Sequence, residues 1–190
     1  GPGYGGSCFP KDTLALLKTA EDYESPLRIV SAVVEVNDNR KRAMGRKVIK
    51  ALGGDARDKK VALLGLTFKP NTDDMRDAPS IAIVQTLEDA GATVAVGNIS
   101  ELAVAAHDPE GMKIAAAMMP AVTMCQNPYE AVAGADAVVI VTEWDAYRAL
   151  DLKRVKQLMR GDALVDLRNV YTSGDAQAAQ LRYSSIGRPT

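Results

Sequence analysis

Cys8 is the residue best placed for chemistry in this chain. It ends a glycine-rich run, Gly1-Pro2-Gly3-Tyr4-Gly5-Gly6-Ser7, and Phe9-Pro10-Lys11-Asp12 follows at once. Glycines adopt positive φ and let a backbone come close to a ligand. Pro10 suits the first turn of a helix, where its missing N–H is no loss. Lys11 to Ala20 then reads as helix, which puts Cys8 just before its N-terminus and Asp12 in its first turn. The helix dipole and the Lys11 ammonium would both favour thiolate over a thiol whose ordinary pKa is about 8.5. The chemistry implied is attack by sulfur on an electrophilic carbon. Cys125 has no such surroundings and reads as an incidental thiol.

Two further groups of residues could hold an anion. The stretch Gly65-Leu66-Thr67-Phe68-Lys69-Pro70 runs on to Arg76 and to a helix opening at Pro79. Lys69 and Arg76 supply the cations, and a helix N-terminus the N–H groups, that phosphate recognition uses. Arg168 follows Val165-Asp166-Leu167 and could grip a pyrophosphate with two parallel hydrogen bonds. Trp144, in Thr142-Glu143-Trp144, reads as packing rather than as a stacking platform. Gly1-x-Gly3-x-x-Gly6 matches the dinucleotide fingerprint in letters only, because no strand precedes it. The later turn after Gly65 lacks that fingerprint as well.

These residues need elements to position them. Ser25-Pro26 predicts a helix start, with Ser25 as N-cap and Pro26 as the first helical residue. Leu27, Val30, Val34, Met44, Val48 and Leu52 keep helical spacing, and Gly53-Gly54 stops the run. A helix of that length, about 40 Å, calls for a partner helix or a second domain. Its centre, Asn37 to Arg42, reads as a solvated face, with a polar dimer or interdomain contact as the alternative. From Lys59 the pattern changes to short apolar strands, Val61–Gly65, Thr93–Val96, Asp136–Val141 and Ala163–Asp166. Helices from Pro79 to Ala90 and from about Asp151 to Met159 lie between strands. Alternating strands and helices specify a parallel, doubly wound, Rossmann-like sheet whose ligands bind at the carboxyl ends of its strands. The fold class is therefore α/β: a helical segment with a long central helix over residues 1–56, then the sheet domain over 57–190. Gly97 to Ala106 reads as a helical turn, with a further strand as the alternative.

Composition excludes several classes. A net charge of −1 among 190 residues gives no call for nucleic acid or an anionic membrane. No run of about 18 apolar residues and no signal peptide is present. Two cysteines make no disulfide framework and suggest a cytoplasmic protein. One histidine, His107, and no Cys/His cluster leave no metal site in view.

The loop Gly3-Tyr4-Gly5-Gly6-Ser7-Cys8-Phe9-Pro10-Lys11-Asp12 and the stretch Phe68-Lys69-Pro70-Asn71-Thr72-Asp73-Asp74-Met75-Arg76 together resemble the UDP-glucose/GDP-mannose dehydrogenase family. Phe9 after the cysteine favours the UDP-glucose branch, since GDP-mannose enzymes tend to carry leucine there. The resemblance implies Cys8 as the nucleophile, Asp12 in water activation and Lys11 beside the cofactor. It implies Gly3, Tyr4, Gly5, Phe68 and Lys69 as substrate contacts, Arg76 as a cofactor contact and Arg168 as a contact to the nucleotide. By the same resemblance the cofactor is NAD, the substrate UDP-glucose, the product UDP-glucuronate, and the long helix carries a homodimer interface.

The resemblance also implies an N-terminal NAD-binding domain that these residues do not include, so the polypeptide alone is expected to be inactive. About ten residues, Gly97 to Ala106, intervene where the family passes directly to an aromatic-Asp-Pro turn, and His107 stands in place of the aromatic. A stand-alone nucleotide-sugar-binding module, a dimerisation module and a related GDP-mannose or UDP-sugar dehydrogenase are the other readings.

Overall fold

The computed structural model describes residues 1–91 and 104–188. Helix α1 spans Cys8–Asp22 and α2 spans Arg28–Ala51. The sheet elements follow as β1 (Val61–Leu64), α3 (Pro79–Asp89), β2 (Val104–His107), α4 (Met112–Met118), β3 (Thr123–Met124), α5 (Pro128–Val132) and β4 (Ala137–Ile140). Then come α6 (Asp145–Arg148), α7 (Leu152–Leu158), β5 (Ala163–Asp166), α8 (Ser173–Ala178) and β6 (Arg182–Ser185). Among the described residues the sheet has six strands, in the order β3-β2-β1-β4-β5-β6, and every pairing is parallel. The α/β, doubly wound architecture is the one expected. Strands β1, β4 and β5 are buried along their whole length, as an apolar run covered on both faces should be.

Two apolar layers flank the sheet. One joins Leu63, Val139 and Val165 to Met44 and Val48 of α2 and to Ile83 and Leu87 of α3. The other joins Leu64, Ile140 and Leu164 to Tyr147, Val155 and Ala176. The C-terminal half of α2 is thus part of the sheet domain's core. Gly45 is the close-approach residue, because a Cβ there would meet Thr86 Cβ at 2.5 Å. The N-terminal half of α2 instead exposes Ile29, Val33 and Val36. Among the described residues no helix is long and apolar enough to cross a membrane.

Several local expectations are corrected. Helix α1 begins at Cys8, so the thiol sits on the first helical residue, Pro10 is third, and Asp12 lies beyond the first turn. Helix α2 begins at Arg28, not Pro26. Ser25 donates its amide to Ala20 O at 2.8 Å and Glu24 its own to Glu21 O at 3.0 Å, with Glu24 at φ 50. That closes α1 with a Schellman turn, so Ser25 ends one helix rather than capping the next. Gly53 and Gly54 close α2 as expected, through Gly53 N to Lys50 O and Gly54 N to Ile49 O. The expected strand Thr93–Val96 lies outside the described residues, as does most of the Gly97–Ala106 stretch. The end of that stretch, from Val104, is strand β2 and not a helical turn. It pairs with β1 in register, Val61 opposite Val104 and Leu64 opposite His107.

Candidate active site

The carboxyl edge of the sheet brings three loops together. Arg168, two residues beyond β5, binds all of them. Its Nε donates to Val141 O after β4 at 3.0 Å, and its Nη2 to Phe68 O after β1 at 3.2 Å. Nε also lies 2.6 Å from Glu143 Oε2. That carboxyl oxygen has no well-directed hydrogen bond, so charge holds the pair. Burial pushes the Arg168 pKa down, and Glu143 pushes it back up. The first residues of the chain close the group: a Cβ on Gly1 would meet Arg168 Nη1 at 3.0 Å.

The cysteine loop is threaded between α2 and the β1–α3 loop. Asn37 of α2 holds the Tyr4 backbone from both sides, accepting from Tyr4 N at 2.8 Å and donating to Tyr4 O at 3.2 Å. Arg40 Nε donates to Gly1 O at 2.7 Å. On the other flank Gly6 N donates to Arg76 O at 2.8 Å. Asp77 O fills the space that a Cβ on Gly5 would need. Gly6, at φ 87, faces the Phe68 ring, where a Cβ would come within 2.9 Å. Gly3, at φ 122, faces Asn37 Oδ1 at the same 2.9 Å. The glycines are required by these close approaches, and the positive φ suits Gly3 and Gly6 besides.

This loop delivers Cys8 to the surface with Ser7 Oγ 3.7 Å from its sulfur. Lys11 is exposed and 3.7 Å from Asp12 Oδ1. Arg76 is the cation held against the cysteine loop through its own carbonyl. Its guanidinium binds Asp74 twice at 2.9 Å. Asp74 first, and Cys8 and Asp73 more weakly, hold the Arg76 pKa above its ordinary value. A cleft of about 470 Å³ is lined by Tyr4, Ser7, Lys11, Thr13, Asn37 and Arg76, among others. The structure therefore gathers Gly3, Tyr4, Gly5, Phe68, Arg76 and Arg168 around the cysteine loop. Lys69 stands apart from the pairings above, its Nζ 5.3 Å from the Phe68 ring centroid. Cys125 is buried in the second apolar layer, and burial pushes its thiol pKa up.

Residues 62–173 match the UDP binding domain of the UDP-glucose/GDP-mannose dehydrogenase family, and residues 1–39 match its central domain. The chain belongs to this family. A UDP-glucose 6-dehydrogenase of Rhizobium meliloti (strain 1021) is 58% identical over 189 residues, which is 100% of this chain and 41% of that protein. One from Bacillus subtilis (strain 168) is 41% identical over 99% of the chain and 40% of its own length. A solved UDP-glucose dehydrogenase from Pyrobaculum islandicum superposes with a TM-score of 0.76 at 34% identity, over 97% of this chain and 38% of that one. The chain thus spans about two fifths of these dehydrogenases.

The family's β1–α3 loop is supported here by a residue that the sequence reading passed over. Asp108, fully buried, accepts at Oδ2 from Leu66 N at 2.7 Å, Thr67 N at 3.1 Å and Trp144 Nε1 at 3.2 Å. Its Oδ1 accepts from Gly111 N at 2.7 Å and Glu110 N at 3.0 Å. Trp144 is accordingly a packing and positioning residue. His107 beside it shares Tyr147: the phenol donates to His107 O at 2.7 Å and lies 3.0 Å from His107 Nδ1. Because that hydroxyl's proton points at the carbonyl, Nδ1 carries the hydrogen and donates. Burial lowers the His107 pKa, with Asp108 and Glu130 opposing. The Asp-Pro pair in His107-Asp108-Pro109 was the available signal. Asn37 and Lys41, inside a run that looked solvated, carried none, yet both are buried. Among the described residues no three His, Cys, Asp or Glu are grouped to hold a metal.

Proposed function

We propose that this chain supplies the nucleophile and the nucleotide-sugar-binding half of an NAD-dependent UDP-glucose 6-dehydrogenase, which oxidises UDP-glucose to UDP-glucuronate. Residues 1–56 form the cysteine loop and central helices, and residues 57–190 the UDP-sugar-binding domain. The observation that carries this reading is the convergence at one sheet edge of the Cys8 loop, the Phe68–Asp77 loop and Arg168. The site is read on the same edge that parallel sheets use for ligands.

The residues present fit one edge of a dinucleotide and not its cradle. After β1 the chain runs fourteen residues, from Gly65 to Ala78, before α3 begins, so no helix N-terminus follows the strand directly as a dinucleotide turn requires. Lys11 and Arg76, both exposed, are the contacts this chain would offer NAD. NAD, when bound against the sugar, supplies the hydride acceptor. Cys8 then holds the oxidised carbon: its sulfur adds to the C6 aldehyde as a thiohemiacetal, and once that carbon has given up a second hydride, to a second NAD, water cleaves the resulting thioester to carboxylate and free thiol. Asp12 orients that water. Phe68, Lys69 and Arg168 hold the sugar nucleotide, with the backbone of Gly3, Tyr4 and Gly5 against the sugar. The protein is read as cytoplasmic and as a homodimer through the exposed face of α2, where Ile29, Val33 and Val36 lie.

Alkylation of Cys8 by iodoacetamide, followed by mass spectrometry, tests the reading. UDP-glucose is expected to protect Cys8 and leave the slow reaction of buried Cys125 unchanged. Equal Cys8 rates with and without UDP-glucose would refute the site. The chain alone is expected not to reduce NAD with UDP-glucose, and appearance of NADH absorbance would overturn that part.

A further inference from the structure

Lys41 is 4% exposed on α2, and a lysine that deep needs a partner. Its Nζ lies 2.6 Å from Asp77 Oδ1 without a well-directed hydrogen bond, so charge holds the contact. The same ammonium is 5.9 Å from the Tyr4 ring centroid. Its Cγ is what a Cβ on Gly3 would meet, at 3.0 Å. Asp77, at φ 51, brings its own carbonyl against Gly5. The cysteine loop therefore passes between the lysine stem and the Asp77 backbone, and the ion pair closes over it.

We propose that Lys41 is the positioning residue of the Cys8 loop, its ion pair with Asp77 clamping residues 3–6 between α2 and the β1–α3 loop. This rests on the reading of Cys8 as nucleophile. The lysine touches no reacting atom. It acts through Gly3 and Tyr4, and Asp77 acts through Gly5. Because the partner is a side chain on another element, neither half of the clamp persists without the other.

Amide exchange at Tyr4 and Gly6 reports the clamp, since both N–H groups donate across the seam. In the 190-residue chain, Lys41→Met and Asp77→Asn are each expected to speed exchange there about tenfold, while Lys41→Arg stays within about threefold of the parent. Alkylation of buried Cys125 should stay slow in all three, which separates loop release from global unfolding. UDP-glucose should protect Cys8 in the parent and in Lys41→Arg, and much less in the other two. Unchanged exchange at Tyr4 and Gly6 in Asp77→Asn, or Lys41→Arg exchanging as fast as Lys41→Met, overturns the proposal. If Lys41→Met exposes Cys125, the Asp77→Asn and Lys41→Arg results decide. If UDP-glucose fails to protect Cys8 even in the parent, the substrate reading falls, while the exchange comparison still decides the role of Lys41.

Discussion

Asp108→Asn isolates the support beneath the β1–α3 loop. The carboxyl group has two oxygens and accepts five N–H donors, three at Oδ2 and two at Oδ1. An asparagine of the same shape keeps only one oxygen. If that oxygen takes the Oδ2 place, Leu66, Thr67 and Trp144 remain bonded, and the amide NH₂ is driven against Gly111 N and Glu110 N, donor against donor. Gly111 is buried and Glu110 is exposed, so water can rescue only the second. A buried donor left without an acceptor costs about 1–3 kcal/mol, and the facing NH₂ is a further unsatisfied donor, so a loss of about 2–4 kcal/mol is expected. With a urea slope of about 2 kcal/mol/M, the midpoint falls by about 1–2 M. The assay is urea unfolding followed by far-ultraviolet circular dichroism, with Asp108→Ala as the more severe companion because it strands all five donors. A shift of less than about 0.5 kcal/mol in Asp108→Asn would refute the reasoning, and so would Asp108→Ala proving the more stable of the two.

Two further outcomes follow from the site. Arg168→Lys keeps the charge, but a single ammonium cannot reach Val141 O, Phe68 O and Glu143 together. UDP binding measured by calorimetry should weaken about tenfold, and an unchanged affinity would remove Arg168 from the proposed nucleotide site. His107 has its folded pKa lowered by burial from an ordinary 6.5. Below about 6.5 the unfolded chain therefore binds the proton more readily, so the His107 contribution is complete above that pH and is lost as pH falls towards the folded pKa. The urea midpoint should drop between pH 7.5 and 5.5, and His107→Gln should flatten that drop. An equal drop in the variant would place its cause elsewhere. The depressed carboxyls Asp74 and Asp136 act in a lower window, below their ordinary 3.8.

Local patterns in the sequence determine the elements with strong signals. Val61 to Leu64, Ala137 to Ile140 and Ala163 to Val165 are apolar runs with no polar face, as strands covered on both sides read. Gly53-Gly54 supplies the positive φ that ends α2. Short elements left weaker traces. Thr123–Met124 is a two-residue strand and Asp145–Arg148 one helical turn, too little for a periodicity to register. Val104–His107 resembles a helical turn in isolation and becomes strand because it pairs with β1. The start of α2 is ambiguous in the sequence because Ser25 suits a cap for the helix after it as well as an end for the helix before it. The Schellman turn at Glu24 decided the matter.

The residue types that can do chemistry were legible in the same way: a cysteine behind glycines, a lysine and arginine after one strand, an arginine after another. What the glycines approach was not legible, because their neighbours are distant in sequence. Asn37, Phe68 and Asp77 define the close approaches, and only packing α2 and the β1–α3 loop against the first residues brings them there. Lys41 shows the difference most plainly. Within Asn37-Asp38-Asn39-Arg40-Lys41-Arg42 it looks like one more solvated charge. The fold buries it because helical spacing puts Lys41 on the face of α2 that carries Asn37, Met44 and Val48, and because Asp77 supplies the countercharge from another element. Burial of a charge depends on a partner, and a partner across the fold is a property of tertiary structure alone.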